Sequence, residues 1–350
     1  MYTDLSEFLN DLDKRKLLVR VGESVSPDLE IAAVTDRACK SPNGGPALLF
    51  EKPAGFDMPV ASNVFGSLER MCLALGVKKL DDLAHEIDEL LLGGFLSRRR
   101  IELVKCISVD LEVPASSHIV LEGYVEPGER RREGPFGDHT GFYSQPDDYP
   151  VFHLTCITRR KKPTYLTTIV GIPPMEDYYL GLASERIFLP MIRKTVPEIV
   201  DMHFPAEGIF HNLVFVSIKK EYPGQAFKVM NALWGQGLMA LAKLIVVVDH
   251  WVNVHDTREA WWVALNNLDP ERDARFTMGP MDVLDHSSRA FTYGSKLGLD
   301  GTRKLPEEGF TRDWPRLIEM DEGTKRRVDA LWPRLGILGR TQDAGRGSAK

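Results

Sequence analysis

Residues 244–249 read LIVVVD. Five apolar residues in succession show no alternation between a dry face and a wet one. Such a run predicts a strand covered on both faces, and therefore one at the centre of a parallel sheet. The flanking patterns agree. Upstream, NLVFVSIKK (212–220) reads as a strand. PGQAFKVMNALWGQGLMALAK (223–243) reads as a helix that starts after Pro223 and carries apolar residues on more than one face. Downstream, TREAWWVALNN (257–267) reads as a helix capped by Thr257. LASERIFLPMIRKTVPEIV (182–200) is a further helix, ended near Pro197. Strands and helices in alternation make an α/β domain over 174–330.

The first 96 residues carry the same alternation. Leu5, Phe8, Leu9 and Leu12 recur at helical spacing behind Thr3 or Asp4 as a cap. LLVRV, GPALLFE and MPVASNVFG read as strands. SPDLEIAAVTDRACKSP reads as a helix, and SLERMCLALG as another closed by Gly76. Residues 97–173 differ. IELVKCISVDLEVP, HIVLEGYVEPG, FHLTCITRR and PTYLTTIVG are rich in Val, Ile and Thr and divided by Pro and Gly, which predicts a β-dominated middle. The end, 331–350, is polar and glycine-rich and is expected to be a loose tail. The overall class is α/β, or α+β when the middle is counted.

The chain has 350 residues, a formal net charge of -6 and 27% charged residues. That balance argues against nucleic acid as a partner, and SRRRIELVK (97–105) reads as a solvated face. No stretch approaches the ~18 to 20 apolar residues of a membrane span, and the N-terminus has no signal-peptide pattern; a cytoplasmic location is the expectation. Four scattered cysteines suggest buried thiols rather than a zinc site or disulfides.

Four stretches could carry chemistry. EGPFGDHTGFYS (133–144) holds Glu133 and Asp138 five residues apart around a Pro–Phe–Gly turn, with His139 beside them. Glycines let backbone approach a ligand. Paired carboxylates in one site can divide acid and base roles; solvated acids on a surface turn are the plain alternative. KKEYPGQAFKVM (219–230) offers a helix start to an anion. In VVVDHWVNVHD (246–256), Asp249, His250, His255 and Asp256 follow a buried strand, without an established ligand spacing. YGSKLGLDGTRK (293–304) places Lys296 among Gly and Ser, a composition able to hold phosphate or carboxylate, though without a P-loop or GxGxxG pattern.

Read together, EGPFGDHTGFYS, TTIVGIPPMEDYYLG (167–181), PEIVDMHFPAEGIFHNLVFVSIKKEYPGQA (197–226), DVLDHSS (282–288) and GSKLGLDGT (294–302) strongly resemble the UbiD family of decarboxylases. The early segments DLSEFLNDLDKRKLLVRV, SPDLEIAAVTDRA and NVFGSLERMCLALG are similar to that family's N-terminal domain. The resemblance implies an N-terminal α/β domain, a central split barrel related to flavin reductases and a C-terminal α/β domain. It implies reversible, non-oxidative decarboxylation of a small aromatic or α,β-unsaturated acid. The implied cofactor is prenylated FMN, its phosphate held by a divalent metal (Mn or Mg) and K. Homo-oligomers, or hetero-oligomers with another carboxylase subunit, are expected. By the same resemblance Asp138 protonates the carbon losing CO2, Glu133 orders the network and His139 stands beside them. Glu89 matches a metal- and cofactor-binding glutamate, and Lys296 is a cofactor-binding candidate.

One departure bears on function. LALGVKKL (73–80) is followed almost at once by IDELLLGGFLSRRRIELVKC (87–106). In the family a long block stands between, carrying a metal-binding Asn, a metal-binding His and the catalytic Arg. The middle is therefore expected to be a truncated remnant of the barrel. Three functions stay open: a UbiD-type enzyme, a flavin-free accessory subunit, and a lyase that works without flavin.

Overall fold

The computed structural model describes residues 2–82 and 102–335. Glu89, Arg98, Arg99, Arg100 and most of the 331–350 tail lie outside the described residues. The chain divides into a large unit that ends at Thr302 and a small one made of Arg303 onward with Tyr222–Gly224. Within the small unit, a helix over Glu322–Leu331 buries none of its residues.

The large unit opens with α1 (Leu5–Lys14), β1 (Leu18–Val25), α2 (Glu30–Cys39), β2 (Ala47–Pro53), β3 (Val60–Ser62) and α3 (Leu68–Leu75). Asp4 caps α1 by accepting from the Glu7 N–H, and Gly76 closes α3 in the left-handed region. β2 shows why a sheet forms here. Its Ala47 and Leu49 join Phe8, Leu9 and Leu12 of α1 on one face. Its Leu48 and Phe50 join Ile31 of α2 on the other. Successive side chains of a strand point to opposite faces, so two helices cover one strand.

The C-terminal half contains α4 (Glu176–Thr195), β9 (Ile199–His203), β10 (Leu213–Ile218), α5 (Gln225–Trp234), β11 (Leu244–Asp249), α6 (Thr257–Asn267), a short α7 (Pro270–Asp273), β12 (Ala274–Pro280) and β13 (Tyr293–Asp300). The sheet order is β12-β13-β11-β10-β9, with LIVVVD central and parallel to both β10 and β13. Ile245 and Val247 pack toward α4 and α5. Val246 and Val248 pack toward α6. Met71 and Leu80 meet Leu182 and Ala183 of α4, joining the two halves.

The middle differs from expectation in two respects. It forms two hairpins, β4 (Leu103–Lys105) with β5 (Glu112–Pro114), and β6 (Ile119–Glu133) with β7 (Asp147–Arg159). Among the described residues each is a two-stranded sheet, and neither closes into a barrel. Of PTYLTTIVG, only β8 (Tyr165–Leu166) is a strand, and it extends the N-terminal sheet parallel to β3. The ladder beside β3 is two residues long, the full length of β8.

Two helix limits are also corrected. Thr257 is the first residue of α6, and Asp256 is the cap; its carboxylate accepts from the N–H groups of Arg258 and Glu259. The long helix predicted over 223–243 stops at Trp234, where Gly235 and Gly237 intervene, and resumes as one 3-10 segment over Gly237–Leu241.

Candidate functional site

The loop between β6 and β7 is the EGPFGDHTGFYS stretch. It is built as a small hairpin of its own. The Asp138 N–H donates to the Phe142 carbonyl (3.1 Å), and the Gly141 N–H to the Asp138 carbonyl (3.1 Å). The Ser144 N–H donates to the Phe136 carbonyl (2.8 Å), while the Ser144 hydroxyl accepts from the Phe136 N–H (3.1 Å). Gly134 and Gly141 sit at φ 91° and 82°. L-residues with a Cβ are disfavoured there. At Gly141 a Cβ would also stand 3.1 Å from the Ile172 Cα.

The loop separates the two acids. Asp138 is 2% exposed. Its Oδ1 accepts from the Thr140 N–H (2.7 Å) and the Thr140 hydroxyl (2.5 Å). Oδ2 takes no hydrogen bond among the described residues. Glu133 is the last residue of β6, exposed, and faces Asp147 across the ladder. No hydrogen bond or ion pair joins Glu133 to Asp138 among the described residues.

His139 points to the C-terminal half. Its Nε2 lies 3.0 Å from the Nε2 of His211, and its ring packs 5.3 Å from that of Phe210. The His211 Nε2 is 3.8 Å from an Asp282 carboxylate oxygen. These three side chains can converge on one cation. The His211 Nδ1 is buried without a partner. A ligating imidazole ordinarily secures its second nitrogen to a carboxylate or carbonyl, so this trio lacks the outer support of a metal centre. Burial drives His211 down to about 4, helped by His139 and Lys243 and opposed by Asp282 and Asp285. Burial also pushes the Asp177 carboxyl up, opposed by its own surroundings and by His139.

DVLDHSS forms the facing wall. Phe142 packs on His286 with ring centroids 4.6 Å apart. Asp285 receives the Lys243 ammonium (2.7 Å) and the hydroxyls of Ser287 (3.0 Å) and Ser288 (2.7 Å). Burial raises the Asp285 carboxyl, but those donors outweigh it and leave it at about 2.

Lys296 lies elsewhere, in β13. Its Nζ donates to the carbonyls of Ala240 (2.5 Å) and Ala242 (3.1 Å) inside the C-terminal half. Burial, then the Lys243 charge, lowers its ammonium to about 8. The ammonium is thus turned inward, and no described contact brings it to Asp138. His211, Asp282 and Asp177 were not singled out by sequence reasoning. His211 is one histidine in an apolar stretch, and nothing local marks it as a partner of His139.

Known proteins supply the remaining comparison. Three models of the 3-octaprenyl-4-hydroxybenzoate carboxy-lyase family match: its N-terminal domain over 9–90, its Rift-related domain over 51–173 and its C-terminal domain over 178–301. An uncharacterized protein of Aquifex aeolicus (strain VF5) is 39% identical, with 96% of this chain and 99% of the relative covered. That alignment runs over 481 residues, so at least 131 of its positions have no counterpart in these 350. Among solved structures, the closed form of Sedimentibacter hydroxybenzoicus vanillic acid decarboxylase superposes with a TM-score of 0.84. It is 22% identical, with 96% of this chain and 99% of that one covered. An evolved dimeric form of the UbiD-class enzyme HmfF from Pelotomaculum thermopropionicum, in complex with prFMN, gives 0.71. It is 22% identical, covering 93% and 98%. At those identities the structures bear on fold alone, whereas the family matches run through all three segments. The chain belongs to the UbiD family of carboxy-lyases.

Proposed function

We propose that this carboxy-lyase acts reversibly on a small aromatic or α,β-unsaturated acid, and that Asp138 protonates the carbon that loses CO2. The observation that carries this reading is the Asp138 carboxylate itself. It is buried, with one oxygen pinned by two donors from Thr140 and the other left without a donor among the described residues. A fixed acid with one unengaged oxygen suits proton delivery to a reacting atom. In the forward direction the bond between the carbon and its carboxylate breaks, CO2 leaves and the electron pair stays on the carbon. The Asp138 O–H bond then breaks and its proton joins that pair. Asp138 is left as carboxylate and is recharged from solvent. His139, the next residue in the loop and 3.0 Å from His211, is given the role of passing that proton. Glu133, at the exposed base of the same loop, is assigned the ordering of the network.

Prenylated FMN, with Mn or Mg and K, is the cofactor the resemblance implies, and prFMN is bound by the HmfF neighbour. The described residues do not fit that group. Lys296 spends its donors on carbonyls. The family's Asn, His and Arg have no counterpart in the sequence, and Glu89 lies outside the described residues. The test is turnover by protein purified from cells that make prenylated FMN, offered a panel of aromatic and acrylic acids. Release of CO2 from at least one acid is expected, with the loss of that release in Asp138→Asn. No turnover of any acid would overturn the reading.

A second reading is favoured by one specific observation. The β6–β7 hairpin leaves Leu121, Val125, Phe152, Leu154 and Ile157 about half exposed, and at least 131 aligned positions of the Aquifex relative are missing here. Exposed apolar faces of that kind mark an interaction surface. On this reading the chain is a flavin-free subunit completed by another carboxylase chain. A visible spectrum without flavin, together with a native mass that includes a second polypeptide, is its expected signature.

A further inference from the structure

Three elements converge on a second cluster. Glu185 comes from α4, His203 ends β9 and His255 lies between β11 and α6. Glu185 is 1% exposed. Its Oε2 accepts from the Phe204 N–H (2.6 Å) and stands 3.2 Å from the His203 Nδ1. Its Oε1 is 3.8 Å from the His255 Nδ1, too long for a hydrogen bond. The His255 Nε2 is meanwhile fixed at 3.1 Å from an Asp201 carboxylate oxygen. One nitrogen of His255 is thus held by a carboxylate while the other looks toward a gap. The two rings lie with centroids 4.7 Å apart.

The gap is under-satisfied from its other side too. The Arg186 Nε stands 3.4 Å from the Glu185 Oε1 and is buried without a hydrogen-bond partner. The rest of that guanidinium is committed to Asp201 (2.7 Å), to Asp81 (3.5 Å) and to the Met202 carbonyl. Three carboxylates, Glu185, Asp201 and Asp81, therefore face one guanidinium. With neutral histidines the cluster carries an excess of two negative charges. Access exists as well: a cavity of about 770 Å³ between α3 and α4 is lined by Cys72, Tyr178 and Leu182 and reaches Glu185, His203 and His255.

We propose that Glu185, His203 and His255 form a site for one first-row divalent cation, with the fourth position open to water from the cavity. Two imidazoles and one carboxylate are a ligand set that such ions take, leaving one position free. Their donor atoms lie within 4.8 Å of one another. Around a tetrahedral ion with bonds of roughly 2.0–2.1 Å, donors are separated by about 3.3 Å; the Glu185 Oε1 stands 3.4 Å from the His203 Nδ1 and 3.8 Å from the His255 Nδ1, so a small inward movement of His255 brings the set to that spacing. Asp201 supplies the outer-shell carboxylate that fixes the tautomer and orientation of His255. The charge excess is the one a divalent ion cancels.

The experiment uses the full chain, stripped with a chelator and titrated with Co2+, whose visible absorption reports four-coordinate ligation by imidazole. One equivalent is expected to bind, to be displaced by Zn2+, and to raise the thermal midpoint. His255→Ala is the first variant, since its side chain is 34% exposed and its removal leaves the core packed. It should weaken Co2+ binding by more than about 100-fold, and Asp201→Asn by about 10–100-fold, the usual cost of losing an outer-shell partner. His139→Ala should bind as the unchanged protein does. Absence of Co2+ binding would overturn the site. So would binding that survives His255→Ala but is lost in His139→Ala, because the ion would then sit on His139, His211 and Asp282.

Discussion

Asp138 owes its place to two glycines and a threonine. Gly134 and Gly141 take backbone angles that a side chain disfavours, and Thr140 returns two donors to one carboxylate oxygen. Thr140→Val keeps the shape and the N–H but removes the hydroxyl donor. It should lower turnover by about 10–100-fold while leaving the fold intact, since small misplacement of a reacting group has costs of that order; steady-state rates with the accepted acid check it. His211 carries a pH prediction. Its imidazole is held at about 4 against an ordinary 6.5, so below pH 6.5 the unfolded chain takes a proton that the folded chain refuses. Stability should fall as pH drops from about 6.5 to about 4. In His211→Gln that portion of the slope should flatten, as read by denaturant melts across the range. The acids of the loop were legible in the sequence because the motif is local. The partner of His139 was not: it meets a histidine 72 positions away, and only packing creates that pair.

Elements were legible where one pattern was decisive. LIVVVD lies where an unbroken apolar run must lie, central and covered by helices on both faces. Ends were less so. Both Asp256 and Thr257 are capping residues by type, and the sequence does not say which one has already entered the helix. Asp256 holds two N–H groups. Asp256→Ala should therefore cost about 1 kcal/mol, and Thr257→Ala less than about 0.5 kcal/mol, measured by urea unfolding. The strand character of PTYLTTIVG was legible, but its partner was not, because β propensity does not name one. Its pairing depends on the exposed edge of β3, which belongs to another part of the chain.

The whole large unit rests on polar ties between its parts as well as on its cores. The buried Glu176 accepts from the Phe65 N–H (2.7 Å), joining α4 to the N-terminal half. Asp201 gathers Arg186 and His255; burial raises its carboxyl, but these partners outweigh burial and hold it at about 2. Asp285 is held at about 2 in the same sense. Carboxyls depressed in the folded state add stability above the unfolded value near 3.8, and lose it as pH falls toward 2. Unfolding should thus steepen between about pH 4 and pH 2, and Asp201→Asn should show a shallower acid transition by circular dichroism. Family and fold class could be read at this scale from motifs spread over the chain. The open middle could be anticipated only as missing length, because no local pattern says how two remaining hairpins will pair.

The most direct measurement follows the proton. Decarboxylation of an accepted acid in D2O, by protein from cells that make prenylated FMN, should place one deuterium on the carbon that carried the carboxylate. Asp138→Asn, folded as judged by circular dichroism, should form that product at least about 100-fold more slowly, the lower range for loss of a general acid. A folded Asp138→Asn protein that produces it at an unchanged rate would contradict the role assigned to Asp138.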